Sequence, residues 1–428
     1  MGTPGADRPA GIGTSVMQTY VPIPSSVVSQ SPPHARTHAR VADGRRVGRQ
    51  ARSLFPLGNT AVQASVPASS RSLGTVFVTR TAHGRSTMQS MVQGGVAGLR
   101  LDWNECAGGP SPVAVARVAA NAADLHRYPR GLLSEVSEAV ARENGVDPAS
   151  VLLTNGVDEA VDLVLTLVDT AWFVSPGFDS YSDRAAVLGR TARPISLDEH
   201  WEPTVSPAEL AGQGAVFIAQ PHNPTGHLFD SAWVDAVVAE AELAFLDTTY
   251  AAFAGPDLQG TLTDPYPLDT HPRLLMFRSF SKSHGLAGVR LGALIGAPGL
   301  ISRLRGNQRF HSVDSVALHA LAGALDDPGH QLKLRDQVLT ERPYYVKALH
   351  AHPVFAEARD THANFVVART RDGLSSAEVT RRLAEQNVWV RDCGELGLTG
   401  WLRISVGTRD ELGELIDALD AADPFPGP

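Results

Sequence analysis

Only three of the 37 lysine and arginine residues are lysines: Lys282, Lys333 and Lys347. Lys282 sits in Arg278-Ser279-Phe280-Ser281-Lys282-Ser283-His284-Gly285-Leu286-Ala287-Gly288-Val289-Arg290, among small and hydroxylated residues. Arginine stays protonated at any accessible pH. A lysine whose surroundings depress its pKa can instead lose its proton, attack a carbonyl carbon and form a Schiff base. Lys282 is therefore the candidate nucleophile, and its natural target is an aldehyde. Three further polar residues stand just beyond or at the ends of short apolar runs. Asn155 follows Val151-Leu152-Leu153, Asn223 follows Ala215 to Ala219, and Asp247 ends Leu243-Ala244-Phe245-Leu246.

These runs alternate with helical patterns, which predicts a doubly wound α/β domain. Leu133, Val136 and Val140 recur at helical spacing and Gly145 stops that helix. Trp172-Phe173-Val174, Leu274 to Phe277 and Leu291 to Ile295 supply more strands. In an open parallel sheet, ligands bind beyond the C-terminal strand ends. If the strands are parallel, Asn155, Asn223, Asp247 and Lys282 converge on one site. After residue 300 the pattern changes to longer helices and shorter strands. Thr361 to Val367 and Trp401 to Val406 read as strands, and Asp410 to Ala421 as a terminal helix. The expected layout is an N-terminal extension (1–95), an arm (96–125), a large domain (126–300) and a small α+β domain (301–428).

Hydrophobic residues make up 43% of the chain and charged residues 19%, as suits a soluble globular protein. The net charge of -8 gives no reason to propose nucleic acid as a partner. Cys106 and Cys393 are too few for a disulfide framework or a structural zinc site, so no metal and a reducing, cytoplasmic compartment are expected. No apolar run has the length to span a bilayer. The first ninety or so residues carry only two acids, Asp7 and Asp43, and few patterned apolar runs. That composition predicts disorder and imitates an organellar transit peptide. The preferred reading is a start codon placed too early, with the true start at Met88 or Met91, because patterned sequence begins near Val96.

Eight segments in order resemble the fold-type-I pyridoxal-phosphate aminotransferases, and within them the histidinol-phosphate aminotransferase branch. They are Asn104-Glu105 with Gly109-Pro110-Ser111-Pro112; Arg127-Tyr128-Pro129; Asn155-Gly156-Val157-Asp158-Glu159; Asn223-Pro224-Thr225-Gly226; Asp247 with Tyr250; Ser279 to Arg290; Ala363-Asn364-Phe365; and Val390-Arg391-Asp392 followed by Arg403-Ile404-Ser405-Val406-Gly407-Thr408. The resemblance spans roughly residues 100–422. It implies a large, mostly parallel-sheet cofactor domain, a smaller C-terminal domain, and pyridoxal 5'-phosphate as cofactor.

It also implies roles. Lys282 would hold the cofactor aldehyde as a Schiff base and then carry the proton between Cα and C4′. Asp247 would pair with the pyridine nitrogen and raise its pKa. Asn223 and Tyr250 would bond the ring 3-oxygen, and Phe178 would stack on the ring. Gly156 and Val157 would offer helix-start amides to the phosphate, beside Asp158, Ser279, Ser281 and Arg290. Tyr128 would reach the phosphate in the neighbouring subunit, so the site would be shared in a homodimer. Arg403 would clamp the substrate α-carboxylate and Arg391 a distal phosphate, with Asn104 also at the substrate. Two positions depart from the family pattern. Val157 replaces a small or hydroxylated residue, and Arg130 stands where an acid usually follows the Tyr-Pro pair.

The leading expectation is ping-pong transamination of histidinol phosphate with 2-oxoglutarate. The lead before Asn104, which in the resembled branch helps close the pocket, is abbreviated or replaced here. This encourages a second reading, an aromatic or specialised-pathway amino-acid aminotransferase. A phospho-amino-acid decarboxylase on the same scaffold is a third. A pyridoxal-phosphate-sensing regulator would need a DNA-binding module, and no helix-turn-helix pattern precedes the domain. A NAD-dependent dehydrogenase is set aside because no Gly-x-Gly-x-x-Gly follows the first strand.

Overall fold

A computed structural model describes residues 98–255 and 267–422 of the chain. The expectations for residues 1–95, including the start site, lie outside the described residues. Among these, the strands are β1 (Leu99–Leu101), β2 (Val151–Thr154), β3 (Thr170–Ser175), β4 (Thr191–Ser196), β5 (Ala215–Ala219), β6 (Leu243–Asp247), β7 (Leu274–Ser279), β8 (Gly292–Gly296), β9 (Phe355–Arg359), β10 (Phe365–Thr370), β11 (Val388–Asp392) and β12 (Trp401–Ser405). The helices are α1 (Pro112–Asn121), α2 (Leu132–Glu143), α3 (Gly156–Leu165), α4 (Ser180–Val187), α5 (Pro207–Leu210), α6 (Ser231–Glu240), α7 (Pro298–Asn307), α8 (Ser315–Leu325), α9 (Pro328–Ala351), α10 (Ser376–Glu385) and α11 (Arg409–Ala421).

Seven strands form one sheet in the order β2-β8-β7-β6-β5-β3-β4. β7, β6, β5, β3 and β4 run parallel, while β8 is antiparallel to both β2 and β7. β5 and β6 are buried along their whole length, as expected of central parallel strands covered on both faces. Alternate residues then feed two different cores. Val216, Ile218, Leu246 and Met276 pack with α2, α6 and α8 on one face. Phe217, Phe245, Leu275 and Phe277 pack with α3, α4 and α7 on the other. Each fully buried ring contributes roughly 1.5–3 kcal/mol of transfer free energy.

A second sheet, β1-β11-β12-β10-β9, is antiparallel except for the β1–β11 pair. It packs with α9, α10 and α11 into its own core. Leu300, Ile301 and Leu304 of α7, and Ala317 to Ala324 of α8, belong to the cores of the seven-stranded sheet. β1 hands the chain from the second sheet directly to Asp102, Trp103 and Asn104, beside the large sheet's C-terminal edge. Gly285 fixes that approach. It adopts φ +66°, and a Cβ there would lie 2.2 Å from the Gly109 carbonyl oxygen, so only glycine lets the lysine loop touch the arm.

Candidate active site

The parallel strands end on one edge, as the strand-end residues anticipated. β2 leads into Gly156, β3 into Phe178, β5 into Asn223 and β7 into Lys282, and β6 ends at Asp247. β8 enters from the same edge because it runs the opposite way, and Arg290 sits just before it.

The Lys282 Nζ donates to the Trp103 carbonyl at 2.6 Å. Burial pushes this amine down to about 8 from the usual lysine range. The nearby Arg403 pushes the same way, and Glu105 pulls it back. A nucleophilic, proton-carrying amine near neutral pH is the chemical result.

Asp247 is buried, and burial drives its carboxyl upward while its donors hold it down. Its Oδ1 accepts from the Thr249 amide at 2.9 Å and the Thr249 hydroxyl at 2.5 Å. Its Oδ2 accepts from the Tyr181 hydroxyl at 2.7 Å. Phe178 meets Tyr181 edge-on with ring centroids 5.4 Å apart, so it borders this group from the β3–α4 turn.

Arg403 is buried on the middle strand of the second sheet. Its Nη1 donates to the Asn223 Oδ1 at 2.5 Å and its Nη2 to the Asp102 carbonyl at 2.8 Å. Its Nε is buried with no hydrogen-bond partner, which leaves one face of the fork available to an anion. Arg391 lies directly across from Arg403 in the β11–β12 register, with Glu395 3.7 Å away. Asp179 also feels both arginines. Burial raises its carboxyl, and Arg391 opposes that shift first.

Asn104 was expected at the substrate. In the structure its Nδ2 donates to the Tyr250 hydroxyl at 2.9 Å, its amide donates to the Ser405 Oγ at 2.9 Å, and its carbonyl accepts from the Asn364 Nδ2 at 2.9 Å. It adopts a left-handed backbone with φ 54°. Burial raises the Tyr250 hydroxyl, so it stays protonated.

At the other side of the edge, Gly156 opens α3 with φ +69°, and a Cβ there would sit 3.0 Å from the Arg290 Nη2. The glycine thus lets the Arg290 guanidinium pack beside the helix-start amides. Asp158 lies 3.5 Å from Arg290 and accepts from the Ser180 hydroxyl at 2.5 Å. The Ser281 amide donates to the Ser279 Oγ at 3.3 Å. Val157 packs its side chain against the aromatic core, leaving only its amide at the helix start. Tyr128 is not brought to this chain's site: it is 73% exposed and stacks on His311 with centroids 4.8 Å apart.

Sequence reasoning missed Tyr181, Thr249 and Ser180. Thr249 was readable, since an aspartate at a strand end commonly accepts from the backbone amide two residues on, as Asp247 does here. Tyr181 carried no signal, because a tyrosine in a helix reads as core.

Residues 97–419 match the model of the aminotransferase class I and II family. The chain is 30% identical over 340 residues to the histidinol-phosphate aminotransferase of Halobacterium salinarum, covering 75% of this chain and 90% of that one. It is also 30% identical over 339 residues to the histidinol-phosphate aminotransferase of Symbiobacterium thermophilum, covering 76% and 90%. A solved structure of a putative aminotransferase from Burkholderia pseudomallei superposes with a TM-score of 0.68 at 29% identity, covering 77% of this chain and all of that one. The chain belongs to the class I and II aminotransferases. It is a pyridoxal-phosphate-dependent aminotransferase with the fold-type-I architecture.

The residues present suit that cofactor. The start of α3 at Gly156 and the Arg290 guanidinium packed beside it offer amides and a fork cation to a phosphate. Asp247 supplies a buried carboxylate, and Lys282 an amine of lowered basicity. Among the described residues no group of His, Cys, Asp or Glu could hold a metal, and no helix is long and apolar enough to cross a membrane.

Proposed function

We propose that the protein is a cytoplasmic homodimer that takes the amino group from histidinol phosphate and passes it to 2-oxoglutarate, yielding imidazole-acetol phosphate and glutamate. Pyridoxal phosphate, when bound, supplies the aldehyde carbon and the ring that takes up the substrate's Cα electrons. Lys282 holds that aldehyde carbon and, once displaced by substrate, moves the proton from Cα. Asp247 faces the ring nitrogen, and Asn223 and Tyr250 face the 3-oxygen. Gly156, Val157, Asp158, Ser279, Ser281 and Arg290 hold the phosphate. Arg403 orients the α-carboxylate through its free Nε edge, and Arg391 receives the distal phosphate. Asn104 acts through Tyr250, whose hydroxyl it steadies. The outward-facing Tyr128 completes the phosphate site of a second subunit.

The observation that carries this reading is Arg391 beside Arg403, in a chain about 30% identical to several histidinol-phosphate aminotransferases. Histidinol phosphate should abolish the visible absorbance of the purified holoenzyme, and 2-oxoglutarate should restore it. Absorbance unmoved by histidinol phosphate, but bleached by a non-phosphorylated amino acid, would rule out this substrate. Glu395, 3.7 Å from Arg391, favours that second reading, since it places a carboxylate where a phosphate would need none. A phospho-amino-acid decarboxylase would release carbon dioxide without forming glutamate.

A further inference from the structure

Tyr181 lies in α4, packed among phenylalanines on one face of the sheet. Its ring centroid is 5.3 Å from that of Phe217, 6.2 Å from Phe245 and 5.4 Å from Phe178. Phenylalanine would satisfy that packing. A tyrosine brings a hydroxyl that must find a partner, since a buried polar group left unmade costs about 1–3 kcal/mol. The partner is the Asp247 Oδ2 at 2.7 Å.

The direction of this bond is fixed. Burial, and then the charge of Asp247, push the Tyr181 hydroxyl well above the ordinary tyrosine range, so it remains an O–H donor. An ionised carboxylate can only accept. Asp247 therefore takes one hydroxyl on each oxygen, Thr249 on Oδ1 and Tyr181 on Oδ2, besides the Thr249 amide. These donors oppose a strong contrary tendency. A carboxyl buried this deeply is driven toward its neutral acid form, and a neutral acid cannot act as counter-ion to a protonated ring nitrogen.

We propose that Tyr181 is a positioning residue that keeps Asp247 ionised and aimed at the cofactor's ring nitrogen. It thereby sets how strongly the site selects a protonated pyridine ring. The proposal rests on the reading that Asp247 faces that nitrogen. It extends the site by one residue beneath the carboxylate, to which its hydroxyl is bonded.

The test compares two ligands on full-length protein freed of cofactor, each titrated by quenching of protein fluorescence. One is pyridoxal phosphate. The other is its 1-deaza analogue, which has a ring C–H in place of the nitrogen. If Asp247 faces the nitrogen, the wild type binds pyridoxal phosphate more tightly than the analogue. In Tyr181→Phe that preference should shrink by roughly tenfold, as expected for a lost hydrogen bond to a charged group. Affinity for the analogue should stay nearly unchanged. Equal losses for both ligands would mean that Tyr181 only packs, and no loss for either would mean that its hydroxyl is idle; both overturn the proposal. A wild type with no preference would instead overturn the placement of Asp247 itself, and the Tyr181 proposal with it. Thr249→Val, which removes the hydroxyl on the other oxygen, should reduce the same preference. Agreement between the two variants would identify donation to the carboxylate, rather than a shape change in α4, as the cause.

Discussion

Asp247 and Arg290 stand on the same sheet edge, but only 6% of Asp247 is exposed, while about half of the Arg290 side chain is open to solvent. The contrast runs through the whole site. On the side proposed to take the ring, Asp247, Asn223, Tyr250 and Arg403 are all buried and hydrogen-bonded. On the side proposed to take the phosphate, Arg290 and Asp158 are half-exposed and only 3.5 Å apart. Solvent screens charges at such a rim, and exposed pairs contribute about 0–1 kcal/mol. Buried partners gain strength from the low dielectric, and removing one orphans the other. The ring side should therefore fail sharply when altered and the rim gradually.

The largest effect belongs to the residue between the two. Lys282→Ala should lower turnover by about 10⁴-fold or more, since both nucleophile and proton carrier are lost. The rim should still hold the cofactor's phosphate, so ultrafiltration should recover the cofactor bound but not covalently attached. Complete loss of binding would mean that the rim contributes little by itself. Asp247→Ala comes next. It leaves the Tyr181 hydroxyl buried without its acceptor and the ring nitrogen without a counter-ion. A cost of roughly 3 kcal/mol corresponds to a loss of about two orders of magnitude in kcat. Steady-state kinetics that moved less than tenfold would erase the contrast between the two sides.

The same division marks how much could be read from the chain. β5 and β6 were legible because central parallel strands are continuous apolar runs. β4, with Pro194 and mostly exposed residues, and the three-residue β1 were not, because edge strands lack that signal. Lys282, Asp247 and Arg403 were singled out by residue type and order, and the fold places Asp247 and Lys282 at one sheet edge. Their supports were not, because Tyr181 meets Asp247 across 66 residues and Asn104 meets Tyr250 across 146. Such contacts exist only once the fold has formed. The packing of α8 on the seven-stranded sheet was equally hidden, since an apolar helix does not state which sheet it will cover.

Burial on the ring side also makes a pH prediction. Only the neutral amine reacts with an acylating reagent, and Lys282 is held at about 8 chiefly by burial. In cofactor-free protein its acylation should rise about tenfold per pH unit below 8 and level off above it, whereas a solvated lysine would keep rising to about 10.4. With only three lysines in the chain, peptide mapping by mass spectrometry isolates the site. A Lys282 rate still climbing at pH 10 would show that the amine is solvated and that the ring side is wetter than its hydrogen bonds indicate.

The smallest effect is expected at the rim, where salt should expose the difference in kind. Arg290→Gln removes a fork cation that is half in water and already faces Asp158. The helix-start amides at Gly156 and Val157 remain and the guanidinium is half solvated, so cofactor affinity should fall only about three- to tenfold, less than the roughly 1.5–3 kcal/mol of a buried hydrogen bond to a charged group. Raising ionic strength from 0.01 to 1 M shortens the Debye length from about 30 to about 3 Å. Wild-type affinity should therefore weaken with salt toward that of the variant, and the variant should respond less. The Tyr181→Phe loss should not depend on salt, because no ions reach a carboxylate under the sheet edge. If the two variants respond alike to salt, the rim and the ring side share one dielectric environment, and the burial contrast has no energetic consequence.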